Sequence, residues 1–217
     1  MKPALIIYDL DGTLVDTRED IAAAVNHMLA QLGAEPQPVS EIVRYVGRGL
    51  RQLVADCLKT SSAERIEQAI KIYRGYYAEH LLDHSRLYSG ARTVLEHFKG
   101  RKQAVITNKP NPFSREILTG LQVAGYFTEI VAGDSGYPIK PDPASLVSIM
   151  QKNGVGAAET LFVGDSPIDV ETGRNAGVFT VILTHGFAAE SDIRSAVPDA
   201  VIGHFQELIE LARQSGW

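Results

Sequence analysis

Short apolar runs alternate with amphipathic segments along most of the chain, and this alternation constrains the fold more than any other feature. Runs typical of buried strands occupy residues 4–8, 103–107, 129–132, 160–164 and 178–183, with a weaker one at 200–202. Between them, apolar side chains recur at helical spacing, as at Ile117, Leu118 and Leu121. Strands that alternate with helices form a parallel sheet with crossover helices. The sequence therefore predicts an α/β fold with a Rossmann-like parallel sheet as its core.

The segment between the first two predicted strands departs from this alternation. It contains no strand-like run but three apolar stripes at helical spacing, which begin near Ile21, Leu50 and Ile66. A helical connection of about seventy residues is far longer than a simple crossover requires. We therefore expect a helical domain at residues 17–86, inserted after the first strand, while residues 1–16 and 87–217 form the core.

Composition narrows the class of protein. The 21 basic and 26 acidic residues give a net charge of −5, so no basic excess favours nucleic acid or an anionic membrane as partner. No apolar stretch approaches the ~20 residues that a membrane span needs. The single cysteine, Cys57, excludes an intramolecular disulfide and, among apolar neighbours, is expected to be a buried structural thiol. We expect a cytoplasmic protein, and its oligomeric state stays open between monomer and homodimer.

Polar residues follow each of the first four predicted strands. They are Asp9, Asp11, Gly12 and Thr13 after the first, Thr107, Asn108 and Lys109 after the second, Lys140 beyond the third, and Asp165 and Asp169 after the fourth. Ligands of open parallel sheets bind beyond the carboxyl ends of the strands. Asp9 and Asp11 share one face of an extended chain, so their charges repel unless a cation lies between them. Carboxylates, a hydroxyl, an amide and a lysine suit a divalent cation with a phosphoryl group.

Each of these signals also has an ordinary structural explanation. An Asp-Gly pair is often only a turn, a threonine such as Thr107 often caps a helix, and Lys140 alone would be a surface lysine. Residues 133–135 repeat the Gly-Asp-Ser tripeptide of 164–166 but lack an acid four residues later, and they are expected to form a loop. The specificity comes from four signals in this order, each at a strand end.

Together these residues resemble the haloacid dehalogenase-like superfamily of phosphohydrolases. The family motifs are matched by DLDGT at residues 9–13, by Thr107, by Lys140 and by GDSPID at residues 164–169, and the likeness runs from residue 6 to about 211. The helical insertion resembles the small cap domain of that family. TNKP at residues 107–110 and KPDP at 140–143 resemble the phosphoglycolate phosphatase branch, although related sugar phosphatases and a pyrophosphatase share much of this pattern. Pro167 departs from relatives, which often carry a longer polar residue there.

The resemblance implies a Mg²⁺-dependent phosphatase for a small phosphorylated substrate, with 2-phosphoglycolate favoured. It implies that Asp9 is the nucleophile that forms an aspartyl-phosphate, and that Asp11 exchanges protons with the leaving oxygen and the attacking water. Lys140 would offset the charge of Asp9 and the phosphoryl group. The metal would be held by the Asp9 carboxylate, the Asp11 backbone carbonyl and Asp165.

The remaining implied roles concern orientation and substrate binding. Asp169 would belong to the metal site by orienting Asp165 or a metal-bound water. Thr107 and the Asn108 amide would hold phosphoryl oxygens, and Gly12 would leave the nearby backbone amides unobstructed. In the cap, Arg48 of the turn at residues 47–49 is a candidate for a substrate carboxylate or second phosphate.

Other functions stay open at the level of sequence. A β-phosphoglucomutase-like phosphomutase shares the core motifs, and a non-catalytic relative could bind phosphate alone. Dehalogenase relatives lack the second aspartate, which is present here as Asp11, and phosphonate-cleaving relatives need a cap lysine where this insertion offers only Lys59 and Lys71. A response-regulator receiver carries its phosphorylated aspartate after the third strand, which the acid pair at Asp9 and Asp11 argues against.

Overall fold

The computed structural model describes residues 2–214, which contain a six-stranded parallel sheet. Its strands are β1 (Leu5–Tyr8), β4 (Lys102–Ile106), β5 (Glu129–Val131), β6 (Thr160–Gly164), β7 (Phe179–Leu183) and β8 (Ala200–Ile202). Every strand predicted for the sheet is present. The spatial order is β5-β4-β1-β6-β7-β8, so the chain reverses its direction of winding at β1. Residues that follow β1, β4 and β6 therefore meet at one edge, where α/β folds bind ligands.

The sheet is apolar on both faces because helices cover both. Leu5 and Ile7 of β1 pack with Leu146 on one face, whereas Ile6 and Tyr8 belong to a larger apolar core on the other. The alternation of a strand's side chains makes this division. The helices of the core are α5 (Ala91–His97), α6 (Phe113–Gly120), α7 (Ala144–Asn153), α8 (Pro167–Ala176), α9 (Glu190–Ser195) and α10 (Phe205–Gln214).

Four further helices lie between β1 and β4. They are α1 (Arg18–Gln31), α2 (Val39–Ile42), α3 (Leu50–Leu58) and α4 (Ala63–His80). The three helical stripes predicted for the insertion correspond to α1, α3 and α4. The short α2 was not predicted, because Pro36 and Pro38 suggested only a break there. The larger core includes buried residues of these helices, such as Val25, Val54 and Tyr77, so the helical layer and the sheet share one apolar interior.

A two-stranded antiparallel ribbon joins the helical insertion to the core. It consists of β2 (Val15–Asp16) and β3 (Arg86–Leu87). Next to it, the buried Asp20 carboxylate accepts hydrogen bonds from the backbone N–H groups of His84 and Ser85 and from the Ser85 hydroxyl. The carboxylate thus holds the outgoing and returning chain together. Strands of two residues carry no periodicity, so sequence patterns do not reveal this junction.

The structure bears on two expectations from composition. Cys57 is 2% exposed on α3, and burial raises the pKa of its thiol to about 12, as expected for a structural cysteine. Within residues 2–214, none of the helices combines the length and apolar character required to cross a bilayer.

Candidate active site

The chain makes a tight loop directly after β1. The Asp9 N–H donates to the Val163 carbonyl at 2.9 Å, which continues the pairing of β1 with β6 by one residue. The Leu10 carbonyl then accepts from the N–H groups of Thr13 and Val15, and the Gly12 N–H donates to the Val15 carbonyl. These backbone hydrogen bonds therefore fix the conformation of the loop that carries Asp9 and Asp11.

Gly12 is required by its backbone and by its neighbour. Its φ is +82°, in the left-handed region that favours glycine, and a Cβ placed there would lie 2.3 Å from Asp165 Oδ2. A Cβ on Gly186 would lie 2.2 Å from the same oxygen. The two glycines enclose the Asp165 carboxylate between the β1 and β7 loops. The predicted reason for Gly12 was access to backbone amides, and the structure adds this close approach.

Three buried carboxylates meet at the strand ends. Asp9, Asp165 and Asp169 each offer an oxygen, and these oxygens lie within 4.8 Å of one another. Burial and the neighbouring carboxylates raise the pKa of Asp9 to about 7, although Lys140 opposes this effect, and the same two causes raise the pKa of Asp165 well above its usual range. Asp165 is held by the Thr13 hydroxyl and the Phe187 N–H, each 2.9 Å from one of its oxygens. The cluster therefore carries an excess of buried negative charge.

Lys140 supplies one buried positive charge to this cluster. Its Nζ lies 2.8 Å from Asp9 Oδ1 and 2.7 Å from Asp169 Oδ1. Burial lowers the pKa of the Lys140 ammonium, but the carboxylates of Asp169 and Asp9 outweigh burial, and the pKa is raised. One cation shared by two of three carboxylates leaves the group net negative, which favours a further cation.

Asp169 uses both of its oxygens within the protein. Oδ1 accepts from Lys140, and Oδ2 accepts from the Ser166 hydroxyl at 2.7 Å and from the N–H groups of Asp165 and Ser166. Ser166 and Asp169 form a capping box that begins α8, with Pro167 in its first turn. This geometry suits the orienting role expected for Asp169, and it gives Pro167 a place where a proline is favourable.

Asp11 lies outside the cluster and pairs with a different lysine. Lys109 Nζ is 3.0 Å from Asp11 Oδ1 and 3.2 Å from Oδ2, and the Thr17 hydroxyl donates to Oδ1 at 2.7 Å. Lys109 is only 8% exposed. Sequence reasoning gave Lys109 no role of its own. The signal that could have found it is its place two residues after Thr107, at the same strand end.

Thr107 and Asn108 are buried directly after β4. The Thr107 hydroxyl accepts from the Lys109 N–H at 3.1 Å. The Asn108 amide donates to the Gly47 carbonyl at 2.8 Å and the Lys140 carbonyl at 3.0 Å, and it accepts from the Lys140 N–H. Asn108 therefore positions Lys140 and connects the core to the helical insertion. Phosphoryl binding by these two residues stays a prediction.

The repeated Gly-Asp-Ser tripeptide at residues 133–135 forms a loop, as predicted. Asp134 is exposed and accepts a hydrogen bond from the Asn111 N–H rather than entering the site. Gly133 has a packing reason of its own, because a Cβ there would lie 2.4 Å from the Asn108 carbonyl oxygen. The tripeptide at residues 133–135 thus contacts the loop of residues 108–111 from outside the site.

A cavity of about 40 Å³ lies between the strand ends and the helical insertion. The core contributes Asp9, Asp11, Thr107, Asn108, Lys109, Pro110, Phe113 and Lys140, and the insertion contributes Ile21, Val46, Gly47, Gly49, Leu50, Leu53, Tyr73 and Tyr77. The cavity brings together most of the predicted site. Asp165 and Asp169 are not part of its lining, and the predicted Arg48 is exposed between two lining glycines.

Comparison with known proteins agrees with this geometry. A family model described as haloacid dehalogenase-like hydrolase matches residues 6–183. The chain belongs to this family. The match confirms the predicted family and the prediction that the protein is an enzyme, and it spans β1 to β7 with every strand end that contributes to the site.

Related haloacid dehalogenase-like hydrolases resemble this chain over nearly its whole length. A phosphoglycolate phosphatase of Pseudomonas fluorescens Pf0-1 is 37% identical over 216 residues, covering 95% of this chain and 79% of that protein. A phosphoglycolate phosphatase of Haemophilus influenzae is 35% identical over 95% of this chain and 97% of its own length. The crystal structure of a predicted phosphoglycolate phosphatase from Haemophilus somnus superposes with a TM-score of 0.91 at 29% identity, covering 98% of this chain and 99% of the other.

Haloacid dehalogenase-like phosphatases generally use a divalent metal, and the residues of this chain fit one. Asp9 Oδ1 is a buried oxygen that meets Lys140 as an ion pair but has no hydrogen-bond partner, and Asp9 belongs to the cluster of oxygens within 4.8 Å of one another. A cation among these oxygens would offset the effects of burial and of the neighbouring carboxylates, which together raise the pKa of Asp9 and Asp165. Oxygen donors of this kind are those that Mg²⁺ prefers.

Proposed function

We propose that this protein is a cytoplasmic, Mg²⁺-dependent phosphatase that hydrolyses a small phosphomonoester, with 2-phosphoglycolate as its substrate. The observation that carries the proposal is the buried group of Asp9, Asp165 and Asp169, neutralised only in part by Lys140, directly beside Asp11. The names of the similar proteins from Pseudomonas and Haemophilus support the choice of substrate.

Asp9 is the nucleophile in this proposal. Its carboxylate follows β1 and lines the cavity, and its Oδ1 forms an ion pair with Lys140. As a bond forms between an Asp9 oxygen and phosphorus, the bond from phosphorus to the leaving alcohol oxygen breaks, which gives an aspartyl-phosphate. Water then attacks that phosphorus and releases phosphate. Lys140, 2.8 Å from Asp9, offsets negative charge on Asp9 and the phosphoryl group in both steps.

Asp11 provides the proton exchange that both steps require. It delivers a proton to the leaving alcohol oxygen and then takes one from the attacking water. The Thr17 hydroxyl fixes the side chain at 2.7 Å from one of its oxygens. Thr107, the Asn108 loop and the backbone around Gly12 receive the phosphoryl oxygens. Asp11, Thr107 and Asn108 line the same cavity.

Oxygen donors after β1 and β6 would hold the metal in this proposal. When bound, Mg²⁺ would neutralise charge on the phosphoryl oxygens and orient them toward the nucleophile. The Asp9 carboxylate, the Asp11 backbone carbonyl and the Asp165 carboxylate would hold it. Asp169 would position Lys140 and the backbone at residues 165–166, since its own oxygens are already in hydrogen bonds.

The helical insertion at residues 17–86 acts as a cap in this proposal. A cavity of about 40 Å³ has room for only a few water molecules, so a substrate enters when the cap moves away from the core. Such a movement would break two hydrogen bonds between core and cap. The Asn108 amide donates one to the Gly47 carbonyl, and the Arg74 guanidinium donates the other to the Asn111 carbonyl. Closure excludes bulk water between the two steps. Arg48 remains a candidate for contacting substrate in the open form.

Phosphate release from a panel of esters tests the proposal. The panel contains 2-phosphoglycolate, several sugar phosphates, pyrophosphate and an aryl phosphate, each with Mg²⁺ and with a chelator, and Asp9→Asn gives the background. We expect Mg²⁺-dependent release with a strong preference for 2-phosphoglycolate. Release from the other esters only would contradict the substrate assignment, and isomerisation of a sugar phosphate without free phosphate would indicate a phosphomutase.

A further inference from the structure

Two cationic side chains line the cavity, and their surroundings differ. Lys140 is shared between Asp9 and Asp169 and belongs to the catalytic group. Lys109 faces Asp11 at 3.0 and 3.2 Å, and its Nζ lies 4.7 Å from the centre of the Tyr77 ring. Its side chain is 5% exposed. A cation this well buried, with one carboxylate partner and an aromatic face, is placed to exchange that partner for another anion.

The opposite wall of the cavity offers a substrate little charge. The cap contributes glycines, aliphatic side chains and two tyrosines, and Arg48 is exposed outside the lining. The Tyr77 hydroxyl is buried without a hydrogen-bond partner, although Tyr77 lines the cavity. A buried donor left unpaired in a binding cavity points to a ligand group that satisfies it. Lys109 and Tyr77 thus bring a buried cation and an unpaired hydroxyl to the same cavity.

We propose that Lys109 determines specificity by binding the substrate carboxylate, with the Tyr77 hydroxyl as a second donor. This inference rests on the proposed function and assigns the substrate class as short phosphorylated hydroxy acids. The carboxylate of the substrate takes the Lys109 ammonium from Asp11, so one buried ion pair replaces another. The Thr17 hydroxyl still holds Asp11 in place. An ester without a carboxylate leaves Lys109 on Asp11 and reacts slowly.

Two esters of similar length separate recognition of the carboxylate from phosphate chemistry. 2-Phosphoglycolate carries a carboxylate where 2-hydroxyethyl phosphate carries an uncharged alcohol. We expect the wild-type enzyme to have a higher kcat/KM for 2-phosphoglycolate than for 2-hydroxyethyl phosphate. Lys109→Gln should lower the ratio of these two values by about 100-fold, mainly by lowering kcat/KM for 2-phosphoglycolate. Lys152→Gln is the matched control, because Lys152 is an exposed lysine paired with Glu129 away from the cavity.

The outcomes distinguish this inference from the proposed function. An equal loss for both esters in Lys109→Gln would mean that the lysine only neutralises Asp11, and a loss of preference in Arg48→Gln instead would move recognition to the cap turn. A wild-type enzyme without any preference would contradict the substrate assignment itself. If Lys109→Gln does not fold, Lys109→Met keeps an aliphatic stem over Tyr77, and Tyr77→Phe should lower the same preference by about 10-fold.

Discussion

The two walls of the cavity are built from opposite kinds of residues. The core wall carries charge from loops at the ends of strands, with Asp9, Asp11, Lys109 and Lys140. The cap wall is mostly apolar and comes from helices. Among the described residues, three buried side-chain atoms lack a hydrogen-bond partner, and two of them belong to residues of opposite walls: Asp9 Oδ1 in the core and the Tyr77 hydroxyl in the cap.

This difference separates chemistry from selectivity. The core wall is fixed by backbone hydrogen bonds and by glycines that admit no side chain, so it can hold like charges close together. The cap wall is fixed by side-chain packing, which can change its shape without disturbing the strands. Apart from Lys109, which the core contributes to specificity, substitutions in the core should therefore affect every substrate, whereas substitutions in the cap should affect some substrates more than others.

Removing the proposed nucleophile is the strongest test of this contrast. We expect Asp9→Asn to lower kcat by at least about 10⁴-fold on all esters, since no other group lines the cavity in the position of Asp9 to form the covalent intermediate. Phosphate release measures the effect. Asp134→Asn is a suitable control, because Asp134 lies in the repeated tripeptide but is exposed. A loss on 2-phosphoglycolate alone would break the division between core and cap.

The same substitution should stabilise the metal-free enzyme. The pKa of Asp9 is about 7 in the folded protein against 3.8 as its ordinary value, so the unfolded chain loses this proton first as the pH rises. Stability of the wild type therefore falls between about pH 4 and pH 7, by up to about 4 kcal/mol from this group. In urea unfolding with chelator, Asp9→Asn should show a shallower fall. An unchanged pH profile would contradict this electrostatic account.

The sequence predicted most of the core wall because most of its residues follow a strand, although it gave Lys109 no role. An apolar run followed by an acidic or hydroxyl residue predicts both a buried strand and a site residue at its carboxyl end. Parallel strands then bring these ends to one edge of the sheet. Asp9, Thr107, Lys140, Asp165 and Asp169 were predicted in this way, and they lie in the cavity lining or the carboxylate cluster. The division of the chain at residues 17–86 and the individual catalytic roles remain predictions.

The cap wall could not be read from the sequence, because helix packing decides which residues face the cavity. Tyr77 lies in an apolar stripe that serves equally as core, and nothing in its spacing distinguishes it from Tyr73. Arg48 was predicted from its charge and its flexible turn, but it is exposed. Lys109, a core residue, is instead a buried cation. Contacts between distant segments, such as Asn108 with Gly47, have no local signal.

Gly12→Ala should produce the next largest effect, because it acts on the core wall through packing. The new Cβ would lie 2.3 Å from Asp165 Oδ2, so the carboxylate must move, and we expect kcat to fall by about 100-fold and stability by about 2–4 kcal/mol. Gly136→Ala provides the matched control, since Gly136 has a φ of +86° but its new Cβ would have no neighbouring atom within 4 Å. Equal losses in both variants would assign the effect to φ alone.

Asp20→Asn tests the junction between the walls. One of its oxygens would become an NH₂ group facing the N–H donors of His84 and Ser85, so we expect a loss of about 2–3 kcal/mol in stability. Since Asp20 lies outside the lining of the cavity, kcat of the folded enzyme should change less than stability. Urea unfolding and steady-state kinetics together measure this, with the exposed Asp83 as a control in Asp83→Asn. Unchanged stability would show that the junction does not depend on this carboxylate.

Tyr77→Phe should have the smallest effect and the most selective one. Its hydroxyl is buried without a partner in the free protein, so removing it should raise the free energy of unfolding by about 1 kcal/mol while the ring keeps its contacts with Tyr73, Phe113 and Lys109. The same change should lower kcat/KM for 2-phosphoglycolate more than kcat/KM for 2-hydroxyethyl phosphate. Tyr126→Phe is the control, because the Tyr126 hydroxyl donates to Glu96 at the protein surface. Lower stability with unchanged selectivity would mean that the Tyr77 hydroxyl serves the apolar interior rather than the substrate, and the cap wall would then select by shape alone.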